Sequence, residues 1–549
     1  MDQKQDTATK SLKWISNQKA CAFFCSMLSL FYALVLIIGA VIVEISPTWS
    51  TRLHQAELIF YVWMYGVGLL IFAYFYLIFI HIEWLSFAQR LLMRLNLLAE
   101  ESLELTACSH SNIAASSLYL RFGALAFGSF GIVLLCSEIV TTLDEDVYQC
   151  AKTSAKYILT CLFVFVQMHF IFTNSKIIID RSKIFCYFGL MHIVAVNVFS
   201  AIRYSLVEAI HYHTKHKSLP NISKDQPAQL LGLQLLVDIH LGAQTSTIFV
   251  TCLVEYFLIG SGMMFVLWLE IGGKSIQSRQ IPVNHRRNSM IADCSRSTTG
   301  LFGGILYMCL AVVAIAINII LEHHVPINHD PDEEPIAFYW LGTAQLLLYL
   351  WILVIIFYGL WRMRNLQYRA DPRRKSGEIL DRILLVIGVF GEILFCFIAI
   401  DLWLENKKTD DGWSRFQPIY FLFVYILRLS SALSQAMFIL LSGRLIARNE
   451  NEQKVKSGKQ SITFLLVANI SLFIFTMYES MRSNLPIELS SLAYPYLIYG
   501  ISPFTVFYRF HSAVCLLEIY RKTYNTKFYE TLQMRAFSVD LVDDPIEEL

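Results

Sequence analysis

Residues 188–211 read FGLMHIVAVNVFSAIRYSLVEAIH, and how this stretch is read decides the fold. It is apolar enough to lie in lipid, yet it holds His192, Asn197, Arg203 and Glu208. On a helix, at about 100° per residue, His192 and Arg203 fall within about 20° of each other. Asn197 and Glu208 make a second pair, about 140° further round. An ionisable side chain at mid-membrane costs at least about 2.5–3.5 kcal/mol, so two polar edges cannot both face lipid. The helix is expected to touch protein or water on two sides. Interhelical hydrogen bonds with an Arg–Glu pair would satisfy it; so would one or two hydrated paths along its flanks.

Composition points the same way. Of 549 residues, 56 % are hydrophobic and 16 % charged, well below the usual quarter of a soluble protein. One soluble core would not need so much apolar sequence. The formal net charge of +1, with no long basic run, excludes nucleic-acid binding as the main task. The twelve cysteines fall mostly inside apolar stretches, form no C-x-x-C pair, and read as small buried residues. There is no Walker A loop, H-E-x-x-H or G-x-S-x-G elbow, no TVGYG filter and no arginine-repeat voltage sensor. The chain is therefore expected to be no enzyme and to take neither a cofactor nor an organic substrate.

Twelve stretches are long enough to span the hydrocarbon core: about 20–43, 57–81, 116–139, 156–179, 185–208, 248–271, 299–321, 337–361, 379–402, 418–441, 461–482 and 496–519. The fifth and eleventh are the most polar. The first reads as a retained span, too long for a signal-peptide core. Lysine and arginine orient the set. They gather after span 6 (Lys274, Arg279, Arg286, Arg287), after span 8 (Arg362, Arg364, Arg369, Arg373, Arg374) and after span 10 (Arg444, Arg448, Lys454). The loop after span 7, EHHVPINHDPDEEP, has none. Both termini are thereby expected in the cytosol, which puts the sequon at Asn221 outside.

The two halves repeat. QMHFIFTNSKII at 167–178 aligns with QAMFILLSGRLI at 435–446, pairing Gln167 with Gln435 and Lys176 with Arg444. The next span of each half carries an asparagine and then a glutamate: Asn197 with Glu208, and Asn469 with Glu479. The expected architecture is an all-α polytopic membrane protein of two pseudo-symmetric six-helix halves, 1–285 and 286–549, related by an axis along the membrane normal.

Other polar residues fall inside spans, among them Glu138, Glu255, Glu392, Asp401, Arg428, Arg509, His511 and Glu518. Snorkelling from a span end accounts for Glu138, Asp401 and Glu518. TVFYRFHSAVCLLEIY groups Tyr508, Arg509 and His511, and a histidine near its reference pKa can exchange protons near neutral pH. His211, His213 and His216 form H-x-H spacing in an outside loop and are candidates for a weak inhibitory zinc site, with no dedicated metal site expected.

SLYLRFGALAFGSFG in span 3, FVFVQMHFIFTNSKI in span 4, FGLMHIVAVN in span 5, EYFLI in span 6 and FYRFHS in span 12 resemble the otopetrins, proton-selective channels of metazoans. The loops look like those of an invertebrate member. The resemblance implies twelve helices, cytosolic termini, a homodimer in the plasma membrane, gating by extracellular acid and inhibition by zinc. It also implies a polar constriction in each half. Gln167 and Asn197 match the amino-terminal one; Gln435, Asn469 and Tyr508 match the carboxy-terminal one. Glu208 and His511 match a glutamate and a histidine that matter between the halves. The amino-terminal constriction often includes a tyrosine about six residues after the asparagine; here that position is Arg203. If Arg203 faced a pore it would repel cations, and a partner on Glu208 or on another helix would silence it.

The expected function is proton conduction, with Glu208 and His511 as relay and Gln167, Asn197, Gln435, Asn469 and Tyr508 holding water. The rival is a proton-coupled solute transporter of two six-span repeats. Such transporters often have helices broken by Gly or Pro, whereas prolines here fall mostly in loops or near span ends, as with Pro503.

Overall fold

The computed structural model describes residues 18–45, 58–77, 118–142, 147–174, 179, 182–216, 243–271, 296–323, 336–368, 376–405, 416–447, 450–481 and 494–524. Twelve long helices run through them. They are α1 Gln18–Ile45, α2 Leu58–Phe75, α3 Leu118–Thr141, α4 Val147–Asn174, α5 Lys183–His216 and α6 Ala243–Leu269. Then follow α7 Thr298–His323, α8 Ile336–Met363, α9 Ser376–Glu405, α10 Phe416–Ser442, α11 Lys459–Met481 and α12 Tyr494–Lys522. A short helix, Glu450–Val455, precedes α11. The protein is an all-α polytopic membrane protein. Among the described residues eleven helices are long and apolar enough to cross a membrane. The one that falls short is α12, not the fifth or eleventh; it carries Arg509, His511 and Glu518 within its 29 residues.

Burial is inverted relative to a soluble protein. On α1, Phe23, Phe31, Leu34, Val35 and Ile42 are exposed, while Ser29 and Glu44 are buried. Lipid tails are as apolar as leucine, so an outward apolar face costs nothing there, and polar groups must find partners inside.

The helices fall into two compact units. One comprises Met1–Pro282 with Lys375–Leu384, the other Val283–Arg374 with Leu385–Leu549. Within the first, α5 packs on α1 and α6, α3 on α4 and α6, and α2 on α4. Within the second, α11 packs on α7 and α12, and α8 packs on α10. Each of these pairings of the second has its counterpart six helices earlier. Close approach at α3 needs small residues: a Cβ on Gly128 would stand 3.0 Å from the Tyr256 ring of α6. In the second unit Gly388 of α9 takes the same role, with its Cβ position 3.0 Å from Tyr508 of α12.

Two local departures shape the interior. A π-helical turn over Val62–Gly66 interrupts α2; such turns leave backbone groups off the regular ladder. Pro503 lies inside α12, not near its end as expected, and the helix continues through it. At one end of the second unit the segments after α8 and α10 pair as a two-residue antiparallel ladder, β1 Gln367–Tyr368 with β2 Leu445–Ile446. Ala447 then donates to the carbonyl of Thr523, beyond the end of α12.

Candidate functional site

Each unit contains one polar layer, built the same way. In the first, the Gln167 amide of α4 and the Asn197 amide of α5 face each other and exchange two hydrogen bonds of 2.8 Å. Gln167 Nε2 also reaches the Tyr256 hydroxyl of α6 at 3.2 Å. Asn197 donates back to the carbonyl of Ile193, and Tyr256 to the carbonyl of Val164. In the second, Gln435 of α10 and Asn469 of α11 exchange bonds of 2.8 and 3.1 Å, and Gln435 Nε2 lies 3.4 Å from the Tyr508 hydroxyl of α12. Asn469 donates to Leu465 and Tyr508 to Ala432. The backbone acceptors match in register, three residues before the glutamine and four before the asparagine. All six side chains are buried.

The reciprocal amide pair explains why these residue types recur. A carboxamide presents donor and acceptor together, so two of them can saturate each other without charge. The tyrosine closes the third side and spends its own proton on a backbone carbonyl. Tyr256 was missed by sequence reasoning. The signal was available in EYFLI, since Tyr508 on the last helix of the other half was already picked out. Gly260, one turn beyond Tyr256, is also part of the layer: a Cβ there would stand 2.5 Å from Gln167 Nε2 and 2.8 Å from Asn197 Oδ1.

Arg203 does not belong to this layer. Its guanidinium lies 3.6 Å from Glu44 of α1 and stacks 4.6 Å from the Tyr61 ring. Tyr61 donates to Glu44 at 2.6 Å, and Lys156 lies 5.3 Å over the same ring. The partner of Arg203 is therefore on another helix. Along the same edge of α5, His192 Nε2 meets the carbonyl of Met64 in the π-helical turn at 2.9 Å, and its Nδ1 meets the Tyr32 hydroxyl at 2.9 Å. Ser200 bonds the Tyr65 hydroxyl at 2.8 Å. So the two edges of α5 have separate jobs. His192, Ser200 and Arg203 face α1 and α2, while Asn197 faces α4.

The second unit holds a buried ion network beyond its layer. Arg428 Nε donates to Glu392 at 2.9 Å, and its Nη1 donates to Glu479 at 2.9 and 3.1 Å. Gln345 Nε2 donates to Glu479 at 2.8 Å. Arg509 lies 2.9 Å from the other oxygen of Glu392, off the hydrogen-bond line. Two guanidinium and two carboxylate groups leave the cluster balanced, which is what lets it persist away from water.

Three further acids are placed. Glu138 is buried on α3 rather than snorkelling, Asp401 is exposed, and Glu518 pairs with Lys522 at 3.1 Å. Glu255, next to Tyr256, is wholly buried, and neither carboxyl oxygen has a hydrogen-bond partner among the described residues. His511 is buried on α12, stacked on Phe507 with ring centroids 5.6 Å apart, its Nε2 3.4 Å from Cys515 Sγ. Glu208, His211, His213 and His216 lie in the last turns of α5, where side chains are outside the described residues, as is Asn221.

The otopetrin family model matches residues 119–239 and 239–510, well over half of the chain. The chain is 27 % identical over 463 residues to "Proton channel OtopLc" of Drosophila melanogaster, covering 75 % of this chain and 28 % of that protein. It is 22 % identical over 302 residues to "Proton channel OTOP1" of Rattus norvegicus, covering 52 % of this chain and 47 % of that one. The chain thus spans less than half the length of either relative. The family match takes in both polar layers, from Gln167 to Tyr508, and by it this chain belongs to the otopetrin family.

Proposed function

We propose that this protein is a proton-selective channel. The duplicated, uncharged Gln–Asn–Tyr layer carries the reading. Side chains in direct contact at 2.8–3.1 Å leave no passage for a hydrated metal cation. The same amides and hydroxyls can exchange their bonds with one or two water molecules, and a proton moves along such a chain without a wide pore. Glu255, next to Tyr256 on α6, adds a buried carboxyl whose oxygens have no hydrogen-bond partner among the described residues, and it is the proposed proton acceptor of the amino-terminal unit. Glu208 and His511 remain the proposed relay, and Arg203, held by Glu44, shapes the approach rather than the constriction.

The wider reading follows the family. Twelve helices cross the plasma membrane, with α12 as the twelfth and both termini in the cytosol. Residues 1–285 and 286–549 form the duplicated halves, and two copies make a homodimer. The channel opens to extracellular acid, works without a cofactor, catalyses no reaction, and is inhibited by zinc at His211, His213 and His216. The clustering of the segments after α8, α10 and α12 at one end supports the alternating topology.

Purified protein in liposomes tests this. An acid step should drive a flux that follows the proton equilibrium potential. A flux tracking sodium or potassium refutes the channel reading. Flux that needs an added solute would instead establish the proton-coupled transporter, to which the proline inside α12 lends some support.

A further inference from the structure

The layer of the second unit is not the only closure on its interior. Arg428 stands seven residues before Gln435 on α10, two helical turns or about 10.5 Å away on the same face. The first unit has Thr160 at the matching place, bonded to its own helix at Lys156. Arg428 is wholly buried, and its contacts come from the helices around it. Tyr349 of α8 lies 5.8 Å from its guanidinium, Phe395 of α9 lies 4.3 Å away, and Glu392 and Glu479 bind it from α9 and α11. Its guanidinium is thus in contact with groups on three surrounding helices, α8, α9 and α11.

We propose that Arg428 closes the interior file of the carboxy-terminal unit to cations, and that Glu479 is the releasable tether that holds it there. This rests on the proton-channel reading. A fixed guanidinium is a barrier to every cation approaching the layer from that end. Its two tethers differ. Glu392 is fully buried and shared with Arg509, whereas the Glu479 side chain keeps 11 % of its surface exposed. Glu392 is the permanent anchor, and Glu479 is the partner that can meet a proton. When the Glu479 carboxylate takes up a proton it loses its charge, and Arg428 Nη1 loses its charge-assisted bond while Nε keeps Glu392. The guanidinium is then free to swing towards α9, where Glu392 still holds it. Other titratable or charged groups around the cluster are Tyr307 on α7, Tyr349 on α8, Cys396 and Glu392 on α9, and Tyr508 and Arg509 on α12.

The test is proton flux through the full-length protein in liposomes, as a function of pH. E479Q removes the charge but keeps an oxygen for Gln345 and Arg428. It should raise flux at neutral pH by about tenfold or more, since a hydrogen bond to a charged group is worth that much, and should flatten the pH profile. Adding Asn469→Leu should return the flux to that of Asn469→Leu alone, whereas adding Asn197→Leu should not. Wild-type flux and pH profile in folded E479Q would overturn the proposal, as would an increase that survives Asn469→Leu. Should E479Q fail to fold, Gln345→Leu, which frees the tether from α8 without changing charge, must shift the profile in the same direction or the proposal falls. Absence of any flux from the wild type would strike the channel reading itself, a separate outcome.

Discussion

Replacing Gly260 by alanine should force open the amino-terminal layer. The new methyl would sit 2.5 Å from Gln167 Nε2 and 2.8 Å from Asn197 Oδ1, both inside van der Waals contact. Helix α6 cannot retreat cheaply, because α3 and α5 both pack against it. The amides must yield by several tenths of an ångström each, which strains or breaks the two reciprocal bonds of 2.8 Å. Each bond contributes about 0.5–1.5 kcal/mol net, and a buried amide left unsatisfied costs about 1–3 kcal/mol more. The closed layer is thus destabilised by roughly 2–6 kcal/mol, against a wet layer whose amides can bond water. At about 1.4 kcal/mol per factor of ten, the open fraction rises by roughly thirtyfold or more. The assay is proton flux in liposomes, in an Asn469→Leu background so that only the amino-terminal unit is read. Flux should rise at neutral pH. Unchanged flux from folded G260A protein would refute the view that this amide pair is the closure.

Asn197→Leu and Asn469→Leu should each replace a water-binding amide of one layer by an apolar plug and so silence that unit, and the flux of the two single variants in the same assay apportions conduction between units; neither variant altering flux would dismiss both layers. Glu392→Gln should destabilise the carboxy-terminal unit by about 3–5 kcal/mol, because it leaves two buried guanidinium groups short of a counter-charge; thermal unfolding in detergent measures it, and an unchanged transition would show the cluster contributes nothing. Gly300→Ala places a methyl 2.1 Å from the backbone carbonyl oxygen of Gln460 and should cost about 1–3 kcal/mol or more by the same measurement, since backbone cannot rotate away. Glu255→Gln should lower acid-driven flux at equal protein content, and wild-type flux would remove Glu255 from the pathway.

Much of this protein was legible in the chain. Apolar runs of membrane length require helices, because in lipid every backbone group must be satisfied within its own segment. The 3.6-residue period then assigns His192 and Arg203 to one edge of α5 and Asn197 to another, and the structure gives each edge its own partners. Internal repetition picked out Gln167, Asn197, Gln435 and Asn469, since polar residues inside lipid are too costly to recur by accident; Tyr508 came from the polar group on span 12 and the family resemblance.

What the chain did not show was who faces whom. Arg203 meets Glu44, 159 positions away, and Tyr256 of α6 completes the layer in the place the family resemblance gave to the position of Arg203. Glu392 holds two arginines from different helices, though nothing in its own stretch announces it. Helical periodicity is a local property, set by the backbone of one segment, so the sequence alone could assign spans and polar faces. Charge pairing depends on which helices become neighbours and at what height, and that is decided only when the bundle packs.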